Sequence, residues 1–373
     1  MKVVVTGAGG LLGRHAATRL HALNCAVRFR GEAAPVELAA LDRAAFSDPA
    51  RLREAVRGAD AVLHFAGINR GEDEAVEAGN PAIATALVDA CEAADATPHV
   101  VYANSTHAAG DTPYGRGKAR AAAVLGDALP LTDLVLPHIF GEGARPRYNN
   151  VTATLIETLH EGGAPSLNPE GRVSLLHAGE AAQVAIDAAT DRHVGSLAPA
   201  GRPLRVTELW ERLSAFHDAY RRNVYPDLSD PFDRDLFNAY RTPTYPNGWP
   251  RPLKLNTDAR GTLFEAVKGG GGGQTFLSTT KPGVTRGDHF HLHKVERFLV
   301  VEGEAIIRIR RVLGDEVWSY RVSGGAPAPV DMPTLHAHSI ENVGEGPLLT
   351  LFWTHDLFDP AAPDTYADEV LRP

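Results

Sequence analysis

Two cysteines in 373 residues are too few for a disulfide scaffold, and Cys25 and Cys91 lack the CxxC spacing of a thiolate zinc cluster. Positive charge is also in deficit. With 37 basic against 46 acidic side chains the net charge is −9, which excludes a general nucleic-acid surface but leaves room for local arginine clusters on a phosphorylated small molecule. No apolar run nears the ~20 residues that span a bilayer. The opening MKVVVTGAGG breaks at Gly7 before a signal-peptide core can form. The expectations are therefore no membrane insertion, no nucleic-acid partner and a reducing cytoplasm.

What is present suits a soluble, globular protein. Hydrophobic residues make up 44% of the chain, enough for real cores, and the length favours two domains. Short β-branched runs (VVV at Val3–Val5, AVLHFAG, HVVYANS) alternate with segments of helical period, the pattern of βαβ units and a parallel sheet. This α/β region is assigned to residues 1–243. TPTYPNGWPRP follows, and its prolines stop both helix and central strand. Residues 253–373 then read as short strands between Gly and Pro clusters, an antiparallel barrel or sandwich. The run Gly269 to Gly273 is expected to be a flexible hairpin tip.

In VVVTGAGGLLGRHAATRL a buried strand meets Gly7, Gly10 and Gly13 and then an amphipathic helix. Missing side chains let the backbone approach a pyrophosphate at a helix N-terminus, where free N–H groups favour anions. The next strand is predicted over Cys25–Arg30. It lacks an acidic residue for a ribose diol, so Arg30, with Arg28, points to NADP rather than NAD. Asp42 is a candidate acceptor for the adenine amino group, or a turn former.

Tyr114 and Lys118 form YxxxK, with Ser105 nine residues ahead of the tyrosine. One helical turn puts phenol and ammonium on one face, where the cation should lower the phenol's pKa toward working pH. Such a tyrosine exchanges a proton at a carbonyl oxygen while a nicotinamide exchanges hydride. Arg145, Arg147, Tyr148, Asn149 and Asn150 crowd one short stretch with guanidinium forks and amides suited to phosphate and sugar hydroxyls.

TGAGGLLG, HFAG, Ser105 and YGRGK resemble an extended short-chain dehydrogenase/reductase, a Rossmann-like doubly wound fold. The resemblance implies that Ser105 and Tyr114 hold the reacting oxygen. It also implies that Lys118 holds the nicotinamide ribose and that Ala66 and Gly67 line the cofactor. Gly117 and His138 depart from the serine and asparagine frequent there.

In the C-terminal region, Gly283, His289, His291, Glu296 and Gly303 fit G(x)5HxH(x)4E(x)6G, and Pro333, His338 and Asn342 fit P(x)4H(x)3N. Histidines two apart on a strand share a face, Glu296 can return on the next, and three imidazoles with a carboxylate suit a divalent cation such as zinc. These segments resemble the paired motifs of a cupin. Leu335 replaces the usual glycine, which makes His336 an alternative ligand.

The order reductase then cupin, with HFAGINR, RPRYNNVTATL, DPFDRDLFNAY and KPGVTRGDHFHLHKVERFLVVEG, resembles the bifunctional capsular-polysaccharide UDP-sugar enzymes of the CapF type nearly end to end. That family implies C3 epimerisation of a UDP-4-keto-6-deoxy-N-acetylhexosamine in the cupin and NADPH-dependent 4-keto reduction in the first domain. It also implies Lys294 as a candidate base and a homodimer; His293 and His336 are further base candidates by their titratable rings. The alternatives are a nucleotide-sugar 4-epimerase or 4,6-dehydratase with a non-catalytic cupin, and a non-enzymatic dinucleotide sensor.

Overall fold

A computed structural model describes residues 1–28 and 31–372. It resolves into two compact units. One comprises Met1–Leu155 and Pro165–Leu209, the other Ile156–Ala164 and Trp210–Pro373.

The first unit is built on a six-stranded parallel sheet. In chain order its elements are β1 (Lys2–Thr6), α1 (Leu11–Arg28), β2 (Glu37–Leu41), α2 (Pro49–Val56), β3 (Ala61–His64), α3 (Asp73–Ala93), β4 (His99–Ser105), α4 (Pro113–Ala128), β5 (Leu131–Leu136), β6 (His138–Phe140), α5 (Val151–His160, which runs on into the second unit), β7 (Arg172–His177), α6 (Ala178–Asp191), β8 (Gly195–Leu197) and β9 (Arg202–Arg205). The strand order is β2-β1-β3-β4-β5-β8, and β6-β7-β9 form a separate small sheet. Side chains on a strand alternate faces, and here each face is covered. Val3, Val5, Leu63 and Val101 pack against Leu12, Ala16 and Leu20 of α1 and Ala182 and Ile186 of α6. Val4, Val62 and Val100 pack on the opposite face against Leu52 of α2, Leu87 of α3 and Leu125 of α4. This is the doubly wound arrangement.

One expected strand is not there. Cys25–Arg28 completes helix α1, because Leu20, Ala22 and Cys25 continue its buried stripe. The strand beside β1 is instead β2, paired from Lys2↔Glu37 to Thr6↔Leu41.

The second unit carries most of α7 (Val206–Arg221), α8 (Pro231–Arg241) and an all-β region. Its strands are β10 (Asn256–Asp258), β11 (Gly261–Leu263), β12 (Gln274–Thr280), β13 (Thr285–Phe290), β14 (Glu296–Glu302), β15 (Glu304–Arg311), β16 (Val317–Ser323), β17 (Val330–Met332), β18 (His336–Asn342), β19 (Leu348–Thr354) and β20 (Tyr366–Ala367). Antiparallel sheets β12-β19-β14-β17 and β16-β15-β18-β13-β20 make the cupin barrel. Phe298 on the first sheet meets Phe352 at 4.5 Å and His338 of the second at 5.5 Å.

Helix α8 is bound to the barrel by buried polar contacts. Arg241 donates to the Met332 carbonyl, and Asn238 to that of His293. Asp331 is the hub: it pairs with Arg297 and accepts from the Tyr220 hydroxyl, while its carbonyl accepts from Tyr245. The glycine run is not a hairpin tip. Gly270 donates to the Tyr225 carbonyl, and a Cβ on Gly271 would lie 2.7 Å from Asp227 Oδ1, so bare backbone is what lets this segment dock.

Candidate functional site

The β1–α1 turn depends on two glycines. Gly7 has φ +67°, and a Cβ on Gly13 would sit 2.2 Å from the Gly7 carbonyl oxygen, so a side chain at either position breaks the turn. Gly10 N–H closes the turn on Gly7 O, and Arg14 anchors the first helical bond to Gly10. Thr6 Oγ1 accepts from the Phe65 and Ala66 N–H groups, which fixes the HFAG strand end alongside. These residues open onto a cleft of about 790 Å³, also lined by Gly67, Ser105, Tyr114, Lys118, His138, Arg145, Tyr148 and Asn149. The close turn and exposed helix N-terminus fit a dinucleotide pyrophosphate.

Ser105 ends β4 and Tyr114 and Lys118 share the first turns of α4, so one cleft holds all three. The phenol does not behave as the spacing predicts. Burial raises the Tyr114 pKa, and what opposes it is a hydrogen bond with Ser105. The Lys118 ammonium instead donates to the Ala103 carbonyl and stands 4.0 Å from the Tyr102 ring centre. Buried there, its own pKa falls to about 7, with Asp133 partly opposing the drop. At neutral pH Tyr114 is thus a protonated acid. Gly117 is explained by packing: a Cβ would lie 2.8 Å from the Glu77 carbonyl oxygen on α3.

The other expected residues divide. Arg30 lies outside the described residues. Asp42, just past β2, caps Ala45 N–H and pairs with Arg51 at 3.3 Å, the turn-forming role. Arg145 stacks on Tyr148 at 4.9 Å, and Asn149 donates to the Asn69 carbonyl. Arg147 takes φ +56° and is held through its backbone, its carbonyl accepting from Arg70; it does not line the cleft. Three further residues were missed. Asn80 is buried and clamps Ile68 by both its N–H and C=O, Arg70 lies 5.7 Å from the Tyr148 ring centre, and Arg14 donates to the Gly143 carbonyl. HFAGINR held a signal for Arg70; nothing near Asn80 marks its long-range partner.

In the barrel, His289, His291, Glu296 and His338 bring their ligand atoms within 4.8 Å of one another. A bulge at Asp288 realigns β13, so His289 pairs with His338 across the sheet. Glu296 Oε2 lies 3.1 Å from Nε2 of both His291 and His338, and the His338 ring is fully buried. Burial lowers the pKa of His338 and takes that of His289 to about 3, leaving neutral imidazoles. Burial alone would raise Glu296, but the flanking imidazoles hold it well below the usual range. An ionised carboxylate beside His289, His291 and His338 is a donor set that fits a divalent cation. His291 Nδ1 faces the Asp364 carbonyl, which leaves Nε2 for a metal. Leu335 takes φ +61°, supplying the turn a glycine would, held by N–H donation to the His291 carbonyl. His336 lies against Trp318 with its ring tilted by 31° and stays outside the cluster. Lys294 donates to the Pro363 carbonyl and Thr365, whereas His293 Nδ1 lies 3.3 Å from buried Asp235 of α8.

Comparison with known proteins agrees with this division. Residues 3–196 match the NAD dependent epimerase/dehydratase family and residues 256–366 the polysaccharide biosynthesis C-terminal domain. A UDP-2-acetamido-2,6-beta-L-arabino-hexul-4-ose reductase of Pseudomonas aeruginosa is 28% identical, over 99% of both chains. The crystal structure of the capsular polysaccharide assembling protein CapF of Staphylococcus aureus is 27% identical with a TM-score of 0.59, covering 99% of this chain and 100% of that one. A UDP-N-acetylglucosamine 4-epimerase from Methanobrevibacter ruminantium shares the fold at 17% identity and a TM-score of 0.53, covering 65% of this chain and 97% of its own. The chain belongs to the NAD dependent epimerase/dehydratase family, in the CapF-type form that adds a C-terminal cupin.

Proposed function

We propose that the chain is a bifunctional UDP-sugar enzyme of surface-polysaccharide synthesis. It epimerises C3 of a UDP-4-keto-6-deoxy-N-acetylhexosamine at the cupin and reduces the 4-keto group at the Ser105–Tyr114–Lys118 cleft, giving UDP-2-acetamido-2,6-dideoxy-L-talose. The observation that carries this is the coexistence in one chain of a protonated Tyr114 beside Ser105 and a buried three-histidine, one-carboxylate cluster. End-to-end similarity to a 4-ketosugar reductase supports the substrate.

Bound NADPH would supply the hydride. Tyr114 delivers its proton to the C4 oxygen while Ser105 hydrogen-bonds that oxygen, so alkoxide charge does not build up. Lys118 holds the nicotinamide ribose and Gly7, Gly10 and Gly13 admit the pyrophosphate. Arg145, Tyr148 and Asn149 receive the UDP-sugar. At the other site, the 4-keto group acidifies the proton on C3, and its removal and return on the opposite face invert that centre. Lys294 is the proposed base, and the His293–Asp235 pair is a second candidate because its carboxylate is buried against the ring. His289, His291, Glu296 and His338 would hold the cation, zinc by donor type, which would supply Lewis-acid character at this site. The active form is proposed to be a homodimer.

Purified protein is incubated with the 4-ketosugar in deuterated water, following C3 by NMR and NADPH by absorbance. Deuterium at C3 without NADPH, then a reduced sugar once NADPH is added, is the expected result. NADPH oxidation without exchange would leave a reductase with a non-catalytic cupin. Absence of both signals would refute the substrate.

A further inference from the structure

Outside both sites, His15 of α1, Glu142 after β6 and His177 at the end of β7 converge inside the α/β unit, with 1%, 7% and 3% of their surfaces exposed. Nε2 of His177 lies 2.9 Å and Nε2 of His15 3.7 Å from Glu142 Oε2, and the three ligand atoms fall within 4.8 Å of one another. His15 Nε2 is also 3.3 Å from the carbonyl oxygen of Glu142 itself. Gly141 makes the convergence feasible, because a Cβ there would stand 3.2 Å from both ring nitrogens.

Donors on zinc bonds of 2.0–2.1 Å sit about 3.3 Å apart in a tetrahedron. The barrel cluster shows 3.1 Å for its two imidazole–carboxylate separations, and the buried set brackets the same value. None of the three residues lines the cleft. A site with protein donors and no opening to a cleft has the character of a structural metal centre rather than a catalytic one.

We propose that His15, Glu142 and His177 form a second, closed divalent-metal site, with the Glu142 carbonyl as a further oxygen donor. Such an ion would clasp α1, which carries the glycine turn, to the segment that leads into Arg145 and Tyr148. Arg14, donating to the Gly143 carbonyl, fastens the same two pieces.

The test counts zinc on the full chain. Metal-stripped protein is equilibrated with zinc, passed through a desalting column and measured by elemental mass spectrometry, with cobalt absorption as a second readout of ligation. The expected result is two equivalents for wild type, one for Glu142→Gln, which keeps the side-chain shape but removes the anionic donor, and one for His338→Gln. Should Glu142→Gln fail to fold, His338→Gln still decides: one retained equivalent supports the proposal and none overturns it. A wild-type count that Glu142→Gln leaves unchanged would also overturn it, making the cluster a carboxylate hydrogen-bonded by two imidazoles near Arg19. One wild-type equivalent, lost with Glu142→Gln and kept with His338→Gln, would support this site while refuting metal binding in the barrel.

Discussion

Replacing Asp331 with alanine should cripple the folding of the second unit. The carboxylate is 0% exposed and its partner Arg297 1%. Arg297 reaches it twice, at 2.6 and 3.2 Å, and the Tyr220 hydroxyl donates to it at 2.7 Å. Truncation therefore strands a buried guanidinium and a buried hydroxyl together. Removing one member of a buried ion pair costs about 3–5 kcal/mol. For a domain of this size each kcal/mol moves Tm by about 2–4 °C, so Asp331→Ala should melt roughly 6–20 °C lower by calorimetry. The double variant Asp331→Leu with Arg297→Met should recover at least half of the loss, because it removes the stranded charge. Acid should reproduce the effect. Burial alone would raise the Asp331 pKa, but Arg297, with Arg241 and the Tyr225 hydroxyl, holds it below its usual value, so its contribution is complete above about pH 4 and disappears as pH falls through the lower folded value. A single variant that melts within 2 °C of wild type, or a double variant as unstable as the single, would refute this account.

Tyr114→Phe should lower kcat for ketone reduction by about 10²–10⁴-fold while changing coenzyme affinity less than about twofold, since only the proton donor is lost; stopped-flow NADPH oxidation and fluorescence titration separate the two. Because the Lys118 ammonium loses its proton near pH 7 in the free protein, coenzyme affinity should weaken as pH rises from 6 to 9, by up to about tenfold per unit. Titrations of Lys118→Met should be flat over that range, and a sloping profile there would reassign the dependence. Gly13→Ala should abolish dinucleotide binding, as its methyl would enter the Gly7 carbonyl at 2.2 Å, yet leave the barrel's metal equivalent bound.

Local signals made most of this legible. VVV beside a glycine triplet gives a buried strand and a close turn whatever surrounds it, and the cupin spacings survive because paired β13 and β18 hold His289 and His338 in register while Glu296 opens β14 of the other sheet. The failures came where distant partners decide. Cys25–Arg28 reads as a strand by its valine and alternation, but the stripe from Leu20 commits it to α1. Spacing correctly puts Tyr114 and Lys118 on one face, but not that Ala103 and the Tyr102 ring draw the ammonium away from the phenol. Five glycines suggest freedom, and only the Tyr225–Asp227 backbone, some forty residues away, shows that they are a docking strip.

The hub at Asp331 bears on how this gene could have been assembled. A fusion of two ready-made modules would leave a seam at TPTYPNGWPRP. A fragment beginning at Pro252 would instead lose Tyr220, Asn223 and Tyr245, the groups that satisfy Arg297 and Asp331 from outside the barrel. The barrel is therefore not a transplantable cassette. Recombination that respects its chemistry must carry α8 and the end of α7 along with it, so the unit of inheritance is larger than the strands that bear the metal motif.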